Sequence, residues 1–300
     1  MAALLLDNLL YRSYWADTDK PSITVTAGSE AEGHPFVNMF DHNAGTSFKI
    51  GSGAQATINI GAINPVGSLK SNGFAVYGHN LTPSQGLTIE YDDSTAGASY
   101  SDFNFDPYTS NTYSPDQTGK AFGVLFDEVA SIRHIRITTH NWTTDSYVSI
   151  LSLGVWLQQG IELTAPFTPP FSAVSENMIK RNNNGNPLLN SVRSAPTKLS
   201  LNLAPFEYDD INANLSNDYD FPIDGQQVST PNLAHYVSYH CSHFPFFVMH
   251  DVGLSGDSFS TLRDKREEVY FATIDRAMSQ PKYNTPTTLN WRIPAIGYVK

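Results

Sequence analysis

Six short runs in the first half of the chain do most to restrict what it can fold into: 54–60, 73–77, 86–91, 123–126, 131–139 and 149–156. Each is apolar or alternates apolar with polar residues, and each is bounded by Gly, Pro, Asn or Asp. Antiparallel strands of a sandwich read this way, because side chains along a strand point to opposite faces in turn and the chain must soon reverse. In the run from Ser131, alternation puts Ile132, His134, Arg136 and Thr138 on one face and Arg133, Ile135 and Ile137 on the other.

The 300 residues are 40% hydrophobic and 16% charged, with 15 Tyr and 17 Phe, a mixture that favours strands and turns and suffices for one large or two ordinary cores. A net charge of −11 lacks the basic footprint that phosphate-backbone binding needs, so no nucleic-acid partner is expected, and anionic membranes are disfavoured. The opening Met1–Leu10 is apolar, but it has no basic flank, is interrupted by Asp7 and is too short to span a bilayer. It reads as a first strand or an arm, in a chain made in a cytoplasm without a secretion signal and not inserted in a membrane. Cys241 is the sole cysteine, which rules out an intrachain disulfide and a Cys-based zinc site. The sequons at Asn80, Asn141 and Asn214 then reflect loop composition alone.

Three prolines in Leu163–Phe171 forbid a regular ladder and favour an extended linker. This divides the chain into residues 1–165, a linker at 166–172 and a second, smaller β-rich part at 173–300. The acidity belongs to the first part, where 1–165 carries −9 and 166–300 carries −2. Beyond the linker, strands are expected at 197–203, 244–249 and 267–274, with weak helical patterns at 232–240 and 263–268. The Ser/Tyr/Asp/Asn-rich stretch 92–117 is long for a connection, and such loops are usually functional or packed by a partner.

The constellations that could carry chemistry are sparse. His235, His240, Cys241, His243 and His250 lie close in sequence, but strand alternation separates His240 from His243, and no second cluster completes four ligands. Gly253–Asp257 lacks the Gly-x-Ser-x-Gly register of a nucleophile elbow. The adjacent acids Asp92–Asp93 and Asp209–Asp210 point to opposite faces of a strand and cannot act as a dyad. An enzyme is not expected.

The segment Ile23–Phe48 is a strand ending in small polar residues, a Pro-led turn at Pro35 and a loop Asp41-x-Asn43-x-x-Thr46 followed by an aromatic. Its oxygens could converge on a hard cation or could form an Asx-turn with their own backbone. The order of Thr26–Ala31, Pro35, Asn38, this loop, the strand 54–61 and the closing pair 131–139 and 149–157 resembles the discoidin, or coagulation-factor type C, domain over residues 20–160. The usual Trp after the Thr is Phe48 here. The resemblance implies a mainly β fold: a galactose-binding-like jelly-roll sandwich with Asp41, Asn43 and Thr46 holding a structural Ca²⁺. It also implies a rim that binds sugars or lipids, with Asn141, Trp142, Tyr108, Tyr113, His79 and Asn80 as candidates. The rings would stack on a pyranose while Asn and His bond its hydroxyls, or else the aromatics pack on their own loops or on a neighbouring subunit.

Leu9-Leu10, Ala27–Asn38, Tyr77–Leu81, Phe244–Val248, Tyr270–Thr273 and Ser279–Pro281 are together similar to accessory tail proteins of tailed bacteriophages. That similarity implies a non-enzymatic virion component at the tail tip or baseplate. Its partners would be other tail proteins and copies of itself in a ring of threefold or sixfold symmetry, with the strands 244–249 and 267–274 docking into the assembly. The competing reading is a carbohydrate-binding protein recognising a cell-surface (host) glycan.

Overall fold

The computed structural model describes residues 2–6, 22–61, 69–94, 99–102, 112–115, 118–154 and 156–157, and in the second half 174–181, 187–195, 206–207, 221–223, 226–228, 241, 244–252, 269–274, 282–283, 288–290 and 295–298. The first half is made of β1 (Ala2–Leu6), β2 (Ser22–Glu30), β3 (Phe48–Gly61), β4 (Leu69–His79), β5 (Gly86–Asp92), β6 (Ser101–Asp102), β7 (Phe122–Ile132), β8 (His134–His140), β9 (Tyr147–Gly154) and β10 (Trp156–Leu157). The second half contributes β11 (Val174–Arg181), β12 (Pro187–Ala195), β13 (Phe206–Glu207), β14 (Phe221–Ile223), β15 (Gln226–Val228), β16 (Phe246–Val252), β17 (Val269–Ile274), β18 (Lys282–Tyr283), β19 (Thr288–Asn290) and β20 (Ala295–Tyr298).

Two glycines in β3 turn alternation into a sandwich. The start of β3 pairs with β9 through Phe48 and Lys49, and its end, Thr57–Ile60, pairs with β8 and β2. Between these stretches Gly53 sits at φ 82, and a Cβ at Gly51 would come within 2.6 Å of the Glu30 carbonyl oxygen. Only glycine accommodates both demands, so the strand bends and belongs to both sheets. One sheet runs β6-β5-β8-β3 with β2 paired to β3, and the other runs β3-β9-β4-β7. Their inner faces share a core that includes Phe48, Ile58, Phe74, Ile89, Ile137 and Leu151. A 3₁₀ turn, Phe36–Phe40, caps this core by burying Phe36, Met39 and Phe40. The Glu30 carboxylate accepts the Phe36 N–H at 2.7 Å and anchors the turn. Ile132 joins the core while His134 faces out. Arg133 lies between β7 and β8 with its N–H donated to the Asp92 carbonyl, so the alternation restarts there, and Ile132 does not share a face with Arg136.

A third sheet, β10-β1-β16-β17-β20, draws strands from both halves. It covers the outer face of β4, β7 and β9. Ala75, Tyr77, Leu125 and Ile150 on that face form a second core with Phe247, Met249, Val269 and Phe271 of β16 and β17. The Tyr77 and Phe271 rings stack 4.5 Å apart at 15°. Trp156 is inserted between the layers, and a Cβ on Gly73 would fall 2.2 Å from its indole. On the other face of β16 and β17, Phe246, Val248, Tyr270 and Ala272 are also buried.

This arrangement corrects the expectation that 244–249 and 267–274 dock into an assembly. β16 lies between β1 and β17, and β17 between β16 and β20, so neither strand has an edge to offer. This third sheet takes β1 and β10 from before the boundary expected at 165 and β16, β17 and β20 from after it. The linker 166–172, the strand expected at 197–203 and the helical patterns at 232–240 and 263–268 lie outside the described residues.

Candidate functional site

The described residues among those expected to form a sugar-binding rim hold the sandwich together. Trp142 is 1% exposed, its indole N–H donates to the Gly86 carbonyl at 3.0 Å, and its ring lies 5.9 Å from that of Phe48. It has no free face for a pyranose. Asn141 adopts a left-handed φ of 56 and its amide donates to the Ser84 carbonyl at 3.1 Å, tying two rim loops. Asn80 bridges to the 145–147 segment, donating to the Asp145 carbonyl at 2.9 Å and accepting the Tyr147 N–H at 2.8 Å. His79 is buried, with Nδ1 accepting the Leu81 N–H at 3.1 Å, so Nε2 carries the proton that it donates to the Lys120 carbonyl at 2.7 Å. Burial lowers its pKa to about 4, against the Lys120 hydrogen bond, which raises it. Tyr113 is 2% exposed, exchanges both backbone hydrogen bonds with Leu87 at 2.7 and 2.8 Å and packs edge-on against Phe74. Tyr108 lies outside the described residues, as do His235, His240 and His243.

The Asp41 loop closes on itself. Asp41 Oδ1 accepts the Asn43 N–H at 2.8 Å, Asp41 Oδ2 accepts the Thr46 hydroxyl at 2.7 Å, and Asn43 Oδ1 accepts the Gly45 N–H at 2.9 Å. These are the bonds of an Asx-turn. Ca²⁺ takes six to eight oxygens, usually with several carboxylates; here one carboxylate is present and both its oxygens serve the loop. Among the described residues no group of three or more His, Cys, Asp or Glu could hold a metal. The donor set as arranged does not fit a calcium cage.

Polar groups converge instead on the outward face of β5, β8 and β3. β8 pairs with β5 on one side, from Gly86↔His140 to Asp92↔His134, and with β3 on the other. Leu87, Ile89, Ile135 and Ile137 enter the core, so Thr88, Glu90, Arg136, Thr138 and His140 must face out. Register places Asp102, Glu90, Arg136 and Asn59 in one row across four strands. Arg136 grips Glu90 with both arms of its fork, Nε to Oε2 at 2.5 Å and Nη2 to Oε1, and its guanidinium lies 4.3 Å from the centre of the Tyr100 ring. The Glu90 bonds hold Arg136 more firmly protonated than an ordinary arginine. Asp92 presents Tyr100 by rooting the loop before it, accepting the N–H groups of Ser94 and Ser99 at 2.6 and 2.7 Å.

The same face continues on either side of this row. His140 Nε2 and the Thr88 hydroxyl lie 2.6 Å apart, and burial lowers the His140 pKa. Partial burial and the Glu90 charge raise the pKa of the exposed Asp102. Asn59 donates to the Thr26 hydroxyl at 3.3 Å, while its Oδ1 is buried with no hydrogen-bond partner among the described residues. The result is a polar patch with one ring against a guanidinium, brought together by strand pairing. The alternation of 131–139 already separated His134, Arg136 and Thr138 from Ile135 and Ile137; what sequence could not supply was the partner strand that brings Glu90 and Tyr100 alongside.

No protein-family model matches the chain, and none of the curated proteins is similar to it. Solved structures that align with it include carbohydrate-binding modules and glycoside hydrolases. One is CpGH89CBM32-5 of Clostridium perfringens, solved with GalNAc-β-1,3-galactose (TM-score 0.36, 11% identity, 49% of this chain and 99% of that one). Another is CpGH89CBM32-6 of the same organism (TM-score 0.34, 12% identity, 49% and 98%). A Ruminococcus gnavus GH29 fucosidase aligns over 27% of its own length and 50% of this chain (TM-score 0.35, 16% identity). The assignment of a mainly β, two-sheet sandwich rests on the strand order and the shared core described above.

Proposed function

We propose that the protein binds carbohydrate without transforming it, and that the glycan lies on the outward face of β5, β8 and β3. The observation that carries this reading is the Tyr100–Arg136–Glu90 unit: an aromatic ring and a guanidinium fixed against each other by a two-armed bond to a carboxylate, with Thr88, His140 and Asn59 beside them. Recognition of a sugar needs a flat apolar element and directional polar groups held in place before the ligand arrives, since ordering them afterwards costs binding free energy. Arg136 is already ordered and a third exposed. The sugar-binding modules above share the sandwich class, but their similarity is too low to carry this reading. The two strands expected to dock in a tail, β16 and β17, are interior to their sheet and give the tail-assembly reading no edge.

The test is a glycan array probed with the full chain, followed by titration calorimetry on whatever is retained. Tyr100→Ala and Arg136→Gln are expected to weaken binding about tenfold, the order expected for loss of one hydrogen bond or contact with a charged group, with little change in Tm. A glycan held equally well by both variants would overturn the site, and an array with no retained glycan would overturn the function.

A further inference from the structure

We infer, on the carbohydrate-binding reading above, that Asp92 is a positioning residue for the glycan: it touches no sugar, yet it sets the affinity of the face by fixing where Tyr100 stands. Asp92 ends β5 and is 1% exposed, out of a ligand's reach. Its Oδ1 accepts the Ser94 N–H at 2.6 Å and its Oδ2 the Ser99 N–H at 2.7 Å, so one carboxylate holds both residues 94 and 99. Its backbone is held as well, since its carbonyl accepts the Arg133 N–H at 3.0 Å and it pairs with His134 of β8. Burial opposes the charge, but the bonds from Ser94 and Ser99 and the nearby His134 outweigh it and keep the carboxyl below its ordinary range.

Tyr100 needs this anchor because strand pairing alone gives it little. β6 is two residues long, and its pairing with β5 stops at Tyr91↔Ser101, one residue short of Tyr100. On the other side of Tyr100, the Ser99 N–H is fixed by Asp92. The ring is thus held between a strand end and a carboxylate, and there it meets the Arg136 guanidinium, which Glu90 fixes from the same strand as Asp92. A ring free to leave that place would have to be ordered when the sugar binds, at the expense of affinity. Asparagine cannot stand in for the carboxylate: it has one acceptor oxygen, and its amide would face an N–H, so one of the two bonds is lost.

Asp92→Asn in the full chain, alone and combined with Tyr100→Ala, is titrated by calorimetry with the glycan that the array retains most strongly for the natural chain. Asp92→Asn is expected to weaken binding about threefold to tenfold, the size of ordering one side chain on binding. It should have no further effect once Tyr100 is alanine, the non-additivity that marks a residue acting through another. Ser99→Pro removes the backbone N–H that Asp92 accepts and should reproduce Asp92→Asn, so the comparison survives if Asp92→Asn does not fold. A readout without glycan accompanies these: chymotrypsin cleavage after Tyr100, identified by fragment mass well below the melting of both chains, is expected to be faster in Asp92→Asn. Unchanged binding or unchanged cleavage overturns the inference while the carbohydrate reading stands, and so does an equal loss of affinity with and without Tyr100, which would make Asp92 a support of the fold alone. An array on which the natural chain retains no glycan overturns both.

Discussion

Asn141 and Trp142 show how one left-handed residue redirects a side chain that sequence places on a rim. A polar Asn-Trp pair in a turn reads as exposed, but φ 56 at Asn141 reverses the chain so that the Trp142 N–H meets the Ala54 carbonyl at 3.0 Å and the indole enters the core. That reversal depends on bonds to residues far away in sequence, which is why spacing did not reveal it. His79 carries a prediction at this scale. Its folded pKa of about 4 lies below the ordinary 6.5, so between these values the unfolded chain binds more protons and stability rises with pH. His79 thus contributes stability in full above about pH 6.5 and loses it as pH falls toward 4, in total roughly 3 kcal/mol from the size of the shift. His42, lowered to about 3 by burial, extends the loss further down. Chemical denaturation from pH 7 to 4 is expected to show a shallower fall for His79→Gln than for the natural chain. Parallel curves would mean that His79 does not titrate in this range.

At the scale of elements, periodicity told the sheets apart in a way that was only partly readable. The alternating run at β8 belongs to a sheet with one face in the core and one in water. The unbroken apolar runs Phe246–Met249 and Val269–Ala272 are buried on both faces, as continuous runs are in layered sheets. The same runs, without knowledge of their neighbours, also fit exposed docking edges. The bend in β3 rests on two glycines that act differently, and their variants should separate. Gly53→Ala places a Cβ 3.9 Å from the nearest atom at φ 82, so only the left-handed strain of about 1–2 kcal/mol is lost. Gly51→Ala drives a Cβ to 2.6 Å from the Glu30 carbonyl, which must push β2 away, at about 1–3 kcal/mol or more. Urea midpoints are expected to fall further for Gly51→Ala, with the slope unchanged. The opposite order would place the bend elsewhere in the strand.

For the whole molecule, the third sheet makes β16 and β17 part of a core shared with the sandwich. The outer face of β4, β7 and β9 is apolar because Phe247, Met249, Val269 and Phe271 lie on it, and β1 reaches its place only by pairing with both β10 and β16. A chain cut after residue 165 would bare Tyr77, Leu125 and Ile150, leave Trp156 half-covered and strip one edge of β1. Each large side chain so exposed forfeits about 1.5–3 kcal/mol of burial, and the sum is comparable to the 5–15 kcal/mol that holds a domain folded. Residues 1–165 expressed alone are therefore expected to bind a hydrophobic dye, to self-associate, and to melt without a sharp transition, whereas the full chain should unfold with the third sheet in a single cooperative step. A well-dispersed amide spectrum from the isolated first half would show that the sandwich stands alone and that the third sheet is a cover. The isolated half could then be used to map the glycan face. If it collapses instead, a lost glycan in that fragment says nothing about Tyr100 or Arg136, because the sheet that fixes them has lost its backing.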